Sequence, residues 1–304
     1  MTHTGQPTGA AAAAPTQQSN NIPLGIALMI ATTVVFSLQD AISRHLAGTY
    51  NTWMVVMIRY WFFAAFVIFL AARARGGLRR AARTDQPLLQ IFRGLLLAGE
   101  VCVAIYGFTI LGLINSQAVF ICYPLLVAAL SGPVLGESVG WRRWAAIGVG
   151  LIGVLIILQP GVGVFDPAAV IPLISALMFA LYGLLTRYAA RRDRTETSFF
   201  YTGTAGAVMM TAIGFWYWEP MTGPDWAWMA VLCVTGASGH WLLIKCYEVA
   251  EAGAVQPFAY FHLIWASILG LAIFGEVLSN SVIVGATLIV AAGLFTLWRE
   301  RAQG

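Results

Sequence analysis

The sequence predicts an all-α integral membrane protein whose ten transmembrane helices form two inverted five-helix repeats, with the N- and C-termini cytoplasmic. Three observations carry that expectation: a composition too apolar for water, ten apolar stretches with basic loops on alternate sides, and a match of the chain to itself at a shift of 139 residues. Of the 304 residues, 59% are hydrophobic and 10% are charged, whereas a soluble domain carries about 25% charged residues. Eleven Trp and 17 Phe agree with lipid as the solvent, because aromatic rings gather at membrane interfaces.

Residues 1–21 are polar and small, without Lys or Arg. No cationic segment precedes the first apolar span, which argues for a disordered cytoplasmic tail and an uncleaved first helix rather than a signal peptide. A bilayer core needs about 20 apolar residues per helix. Ten windows meet that requirement: 23–44, 52–72, 89–110, 115–135, 142–158, 168–187, 198–217, 226–247, 254–274 and 281–298. Gln159-Pro160-Gly161 stops the fifth, and Asp166-Pro167 supplies a cap and a first-turn proline for the sixth.

Basic residues set the orientation. Arg73, Arg75, Arg79, Arg80 and Arg83 follow span two, Arg142 and Arg143 follow span four, Arg187, Arg191, Arg192 and Arg194 follow span six, and Arg299 and Arg301 follow span ten. With a cytoplasmic N-terminus all of these fall on one side, and Arg44 is the exception on the other. The net charge of +4 therefore marks topology and contact with anionic lipid, not a nucleic-acid surface. The four cysteines (Cys102, Cys122, Cys233, Cys246) lie inside apolar spans without CxxC spacing, so neither disulfides nor a metal site is expected. No cofactor motif is present.

The shift of 139 lays QAVFICYPLLVAALSGPVLGE (117–137) on QPFAYFHLIWASILGLAIFGE (256–276), with both Gly-Glu endings in register. ISRHLA (42–47) resembles LLTRYAA (184–190), placing Arg44 on Arg187. Repeats at 22–160 and 161–300 of five spans each enter the membrane with opposite orientation. Inverted repeats of this kind belong to carriers, because each half can adopt the other's conformation and exchange access between the two sides. Duplication that merely enlarges a bundle is the bland alternative.

The Gly-Glu endings, RWAAIGVGLIGVLIILQPG (143–161) and the segment 239–276 resemble the drug/metabolite transporter superfamily, and within it the ten-helix EamA-type branch. The resemblance spans residues 23–298. It implies a secondary carrier of a bacterial inner membrane, exporting amino acids, aromatic ones among them, or similar small metabolites. The alternative within the same family is another solute: a nucleoside, an S-adenosylmethionine-like metabolite or a cationic drug. By the same resemblance Pro124 is the fourth-helix proline, Glu137 and Glu276 are the paired repeat-end glutamates, and Arg59 and Arg93 are basic positions near the starts of helices two and three. Pro257 stands earlier than its counterpart, and Leu263 lies opposite Pro124, which breaks the symmetry of the prolines.

A charge inside a span costs roughly 2.5–3.5 kcal/mol even on the lenient insertion scale. Glu100 and His240 sit mid-span at a shift of 140; they serve either a substrate's charged groups or hydrogen bonding between helices. Tyr106, Tyr123, Tyr182, Trp241, His262 and Trp265 are candidate walls for a cavity that takes an aromatic or apolar solute with a zwitterionic head. Rings that face lipid or fill the core are the competing reading. Asp40 and Arg44, at i and i+4, have the spacing of a helical ion pair. Glu137 and Glu276 are expected to cap the start of the helix that follows each of them. Small residues in spans five and ten (Gly148, Gly150, Gly153, Gly285, Ala291, Ala292, Gly293) allow close packing. One chain suffices for both repeats, so a homodimer is not required.

A rival from another class rests on GASG (236–239), the tetrapeptide around the nucleophile of rhomboid intramembrane proteases, with Ser238 and His262 as nucleophile and base. No GxxxxGK[ST] loop is present to couple transport to ATP.

Overall fold

The computed structural model describes residues 21–74, 76–136, 140–158, 167–250 and 255–303. Among these residues every regular element is helical. In chain order they are α1 (Ile22–Thr49), α2 (Thr52–Arg73), α3 (Gly77–Ala82), α4 (Pro87–Leu111), α5 (Leu113–Phe120), α6 (Tyr123–Leu135), α7 (Trp141–Leu158), α8 (Ile171–Ala189), α9 (Thr195–Gly214), α10 (Gly223–Val249), α11 (Phe261–Phe274) and α12 (Asn280–Gln303). Short 3₁₀ turns at Pro167–Val170, Phe215–Tyr217 and Gln256–Tyr260 lead into α8, leave α9 and lead into α11. Five stretches are long and apolar enough to cross a membrane: α1, α2, α4, α5 with α6 taken as Leu113–Leu135, and α8.

Local chemistry explains the starts. The Asn21 side chain accepts a hydrogen bond from the Leu24 N–H at 3.1 Å, and that of Asn51 accepts from the Met54 N–H at 2.9 Å. Each satisfies a donor that the first helical turn leaves unpaired. Thr222 plays the same part for α10, with Pro224 in the first turn. The glycines of the two Gly-Glu endings explain the stops. Gly136 (φ 77°) and Gly275 (φ 62°) both adopt the left-handed conformation that closes a helix. Glu137 itself lies outside the described residues.

Span four is expected as one run from 115 to 135, but the chain divides it. Ile121 and Cys122 break the run, the Cys122 carbonyl accepts from the Leu125 N–H at 2.9 Å, and Pro124 occupies the first turn of α6. A proline lacks the donor that would continue α5, so the helix restarts instead of passing through. The ninth span is also interrupted, where the 3₁₀ turn containing Pro257 meets α11 at Phe261.

The packing is specific. α1 lies along α10 and α11, α2 along α9, α4 along α8 and α9, α6 along α8, and α7 along α12. Leu46, Met54, Met57, Leu97, Ile105 and Met210 are the centre of one buried cluster. A second joins α5, α6, α7, α8 and α12 through Val119, Leu125, Val154, Ala176 and Ile289. All four cysteines are buried thiols. The contact between α7 and α12 depends on two glycines: a Cβ on Gly153 would lie 2.6 Å from the Gly285 carbonyl oxygen, and one on Gly285 would lie 2.5 Å from that of Gly153. Backbones approach this closely only when both residues lack a side chain. Gly148, expected in the same stripe, has nothing within 4 Å of its Cβ position and takes no part.

Gly153→Leu should therefore lower the unfolding temperature in detergent, by an amount equivalent to about 1–3 kcal/mol of overpacking. Gly48→Ala, which has open space around its Cβ position, is the control expected to leave the melting curve in place.

Candidate functional site

A cavity of about 690 Å³ runs into the bundle, within the range of small-molecule sites. Every long helix except α7 and α12 contributes to its lining. Arg187 and Thr195 are exposed at one end, where α8 finishes and α9 begins; Gln39, Asp40 and Gln117 are buried at the other. The cavity therefore has a rim and a floor.

The floor is a polar junction of three helices. Asp40 Oδ2 on α1 accepts a hydrogen bond from Gln117 Nε2 on α5 at 2.6 Å and meets His262 Nε2 on α11 at 3.0 Å. The Ser37 hydroxyl donates to the His262 carbonyl at 3.1 Å. Behind the floor, Arg44 is paired with Glu276, and its guanidinium lies 3.9 Å from the centre of the Phe274 ring. The Glu276 carboxylate also accepts from the Leu113 and Ile114 N–H groups, each at 2.7 Å. These are orphan donors at the start of α5, and a carboxylate there is favoured by the helix dipole as well.

The expected partners are thus exchanged. Asp40 and Arg44 have ion-pair spacing but do not pair, because each meets a different helix: Asp40 reaches α5 and α11, and Arg44 reaches the end of α11. Glu276 caps a helix, but it is α5 rather than the following α12. The reason lies at Gly112, whose φ of 85° turns the start of α5 toward α11. A Cβ there would sit 2.8 Å from Glu276 Oε1, so glycine is needed for both its backbone angle and its size.

Midway up, Glu100 Oε1 accepts from the Ser175 hydroxyl at 2.7 Å. Arg59 and His240 also line the cavity. The His240 ring stands edge-on to Phe36 at 5.3 Å and stacks on Phe63 at 5.8 Å, and Phe63 meets Phe199 at 5.0 Å. Opposite them, Phe179 packs against Phe120 at 5.5 Å and Tyr123 at 5.0 Å and leads to Tyr182 at 6.3 Å. Two aromatic walls face the cavity.

Near the rim, buried Arg93 donates through Nε and Nη2 to the Thr186 hydroxyl at 3.0 and 2.8 Å and through Nη1 to Gln90. Gln90 Nε2 in turn donates to Asp193 at 2.7 Å, as does the Thr84 hydroxyl at 2.5 Å. Burial pushes the Asp193 carboxyl up, but hydrogen bonds from Thr84, Gln90 and the Asp85 N–H, with the Arg93 charge, outweigh it and hold the group below the usual carboxylate range.

Of the residues singled out in the sequence, the cavity brings together Glu100, Tyr123, Tyr182, His240 and His262, with Asp40, Arg59 and Arg93. Tyr106 and Trp241 are exposed at 52% and 45% and do not line it. On α4 the lining runs through Glu100, Ala104, Ile105 and Phe108, which leaves Tyr106 on the outer face. Trp241 stands one residue, a 100° turn, past His240. Trp265 sits a turn beyond His262, also outside the lining, with its buried indole N–H unpaired. Pro124 marks the break before α6, and Pro257 opens the 3₁₀ turn before α11. Gln39, Gln117, Ser175 and the phenylalanines at 36, 63, 120 and 179 were not marked as site residues by the sequence. The Ser238–His262 pairing is not formed: the Ser238 hydroxyl donates to the Thr235 carbonyl at 3.2 Å, while His262 faces Asp40. Among the described residues, no group of three His, Cys, Asp or Glu is placed to hold a metal.

Comparison with known proteins adds relatives to this geometry. The profile of the EamA-like transporter family matches residues 23–159 and again 167–298. An S-adenosylmethionine uptake transporter of Rickettsia prowazekii is 27% identical over 280 residues, covering 91% of this chain and 93% of its own. Riboflavin transporters of Vibrio cholerae and Rhizobium johnstonii are 25% and 28% identical, covering 91% of this chain and 94% and 92% of theirs. A solved crystal structure aligns over 91% of this chain and 98% of its own with a TM-score of 0.62 at 18% identity, a likeness of fold alone.

Glu276→Gln should destabilise the protein by about 2–3 kcal/mol, the scale of hydrogen bonds to a charged group. The amide can cap only one of the two N–H groups and leaves Arg44 without its counter-charge. Thermal unfolding in lipid nanodiscs measures the loss, and an unchanged melting temperature would contradict it.

Proposed function

The chain belongs to the EamA-like transporter family, and from that premise we propose that it carries an S-adenosylmethionine-like metabolite across a bacterial inner membrane by alternating access. The observation that carries the substrate class is the cavity itself. Its aromatic walls suit a flat heterocycle, and the carboxylates of Asp40 and Glu100 with the guanidinium of Arg59 suit a solute bearing charges of both signs. S-adenosylmethionine joins a nucleobase to a sulfonium and an amino-acid head. The relatives named for S-adenosylmethionine and riboflavin favour this reading over the amino-acid export that the resemblance first implied. The word uptake in the name of the Rickettsia relative supports inward transport as the physiological direction.

The architecture we infer has ten crossings, α5 with α6 counting as one and the turn at Gln256–Tyr260 with α11 as another, and two inverted repeats at 22–160 and 161–300. Two features support it. The family profile matches twice along the chain. The packing pattern also maps onto itself when each crossing is exchanged for the one five places away: α1 on α10 becomes α8 on α4, α1 on α11 becomes α8 on α6, and α4 on α9 becomes α10 on α2. With the termini cytoplasmic, as the basic loops require, the rim faces the cytoplasm and the Arg44–Glu276 pair closes the outer side. A single chain completes the cavity.

Riboflavin is the second reading, favoured by the Vibrio and Rhizobium relatives. The buried Arg59 guanidinium argues against it, since riboflavin offers no anionic group to take its donors. Uptake of labelled S-adenosylmethionine, riboflavin and phenylalanine into proteoliposomes decides among them. We expect saturable S-adenosylmethionine uptake that unlabelled S-adenosylmethionine inhibits and riboflavin does not; uptake of riboflavin or phenylalanine alone would overturn the reading.

A further inference from the structure

Each of the two carboxylates in the cavity is already engaged, Asp40 by Gln117 and His262 and Glu100 by Ser175. The guanidinium of Arg59 is not. It is 8% exposed and lines the cavity, yet no acceptor among the described residues takes a hydrogen bond from it. A guanidinium has five donors in a planar fork that matches a carboxylate; Glu100 is near enough to act on this one electrostatically, but none of its donors is taken, and donors of a buried charge left unused are costly. Two details make the surroundings specific. Gly236 lets α10 pack directly against the fork: a Cβ there would stand 3.2 Å from Arg59 Nε and 3.4 Å from Gln39 Oε1. That Gln39 oxygen is itself buried without a donor. A second small cavity behind Arg59, of about 10 Å³, holds no more than a water.

We propose that Arg59 receives the carboxylate of the transported solute and is the residue that selects carboxylate-bearing substrates. The inference rests on the proposed substrate class and narrows it to solutes that bear a carboxylate. It also separates Arg59 from Arg93, whose fork is already filled by Thr186 and Gln90.

The test is binding of S-adenosylmethionine and its decarboxylated analogue to the full chain in lipid nanodiscs, for the wild type, Arg59→Gln and Arg59→Lys. The wild type should prefer the carboxylate-bearing compound. Arg59→Gln should weaken that compound by about thirtyfold or more, the scale of removing one partner of a buried charge pair, while the decarboxylated compound stays within about threefold. Arg59→Lys keeps the charge without the fork and should retain a reduced preference; it carries the test alone if the glutamine variant does not fold. Parallel losses of both compounds, or no preference in the wild type, would overturn the proposal. If the wild type binds neither compound, the adenosyl reading fails separately. Methionine against methioninamide then decides the carboxylate site, and no preference for methionine overturns it.

Discussion

The carboxylate of Glu276 holds together three pieces of chain that are far apart in sequence. From its place just past the left-handed Gly275 that ends α11, it neutralises Arg44 from α1 and supplies two acceptors to the open start of α5. Inside a bilayer no water is available to satisfy such N–H groups, so a discontinuous helix is tolerated only where protein atoms replace the solvent. Gly112 makes the arrangement possible by turning the chain sharply and leaving room for the carboxylate. Without this junction α5 would have no stable beginning, and Gln117 would not reach Asp40.

From that junction the cavity follows. α5 and α6 are short pieces rather than one rod, and the break at Cys122–Pro124 places Phe120, Ile121 and Tyr123 along the wall. α7 and α12 take no part in the lining; they press together through Gly153 and Gly285 and leave the other long helices to surround the cavity. The charged groups are divided by depth. Asp40 with His262 lies at the floor, Glu100 with Ser175 at the middle, and the Arg93–Gln90–Asp193 network near the rim. The centre sets engaged carboxylates beside a guanidinium that donates no hydrogen bond to a described residue, between two aromatic walls.

The helices were legible because lipid enforces length: windows such as 52–72 and 89–110 fall within a residue or two of α2 and α4. The break inside 115–135 was not read, although Pro124 was in view, because an apolar run of that length fits a single crossing. Ion pairing was misread at Asp40 and Arg44, where i,i+4 spacing offers a neighbour but the bundle offers better ones. Among the rings expected at the cavity, Tyr123, Tyr182 and His262 line it, and Tyr106, Trp241 and Trp265 do not. In a span that is apolar on every side, hydropathy does not distinguish a residue facing lipid from one facing a cavity. For the same reason Phe36, Phe63, Phe120 and Phe179 gave no sign of their place in the lining, while Glu100 and His240 stood out because a polar group at that depth needs a purpose, and Arg59 came only from the family resemblance.

The central claim is that this floor is reached from one side of the membrane at a time. Ala104 lines the cavity and is partly exposed, so Ala104→Cys, in a background with Cys102, Cys122, Cys233 and Cys246 replaced, is a direct reporter. Its alkylation by a membrane-impermeant thiol reagent, applied to either face of oriented vesicles with and without S-adenosylmethionine, is the measurement. The account predicts labelling from the cytoplasmic face at rest and from the opposite face only during turnover. Labelling confined to one face under every condition, or from both faces at rest, would contradict it.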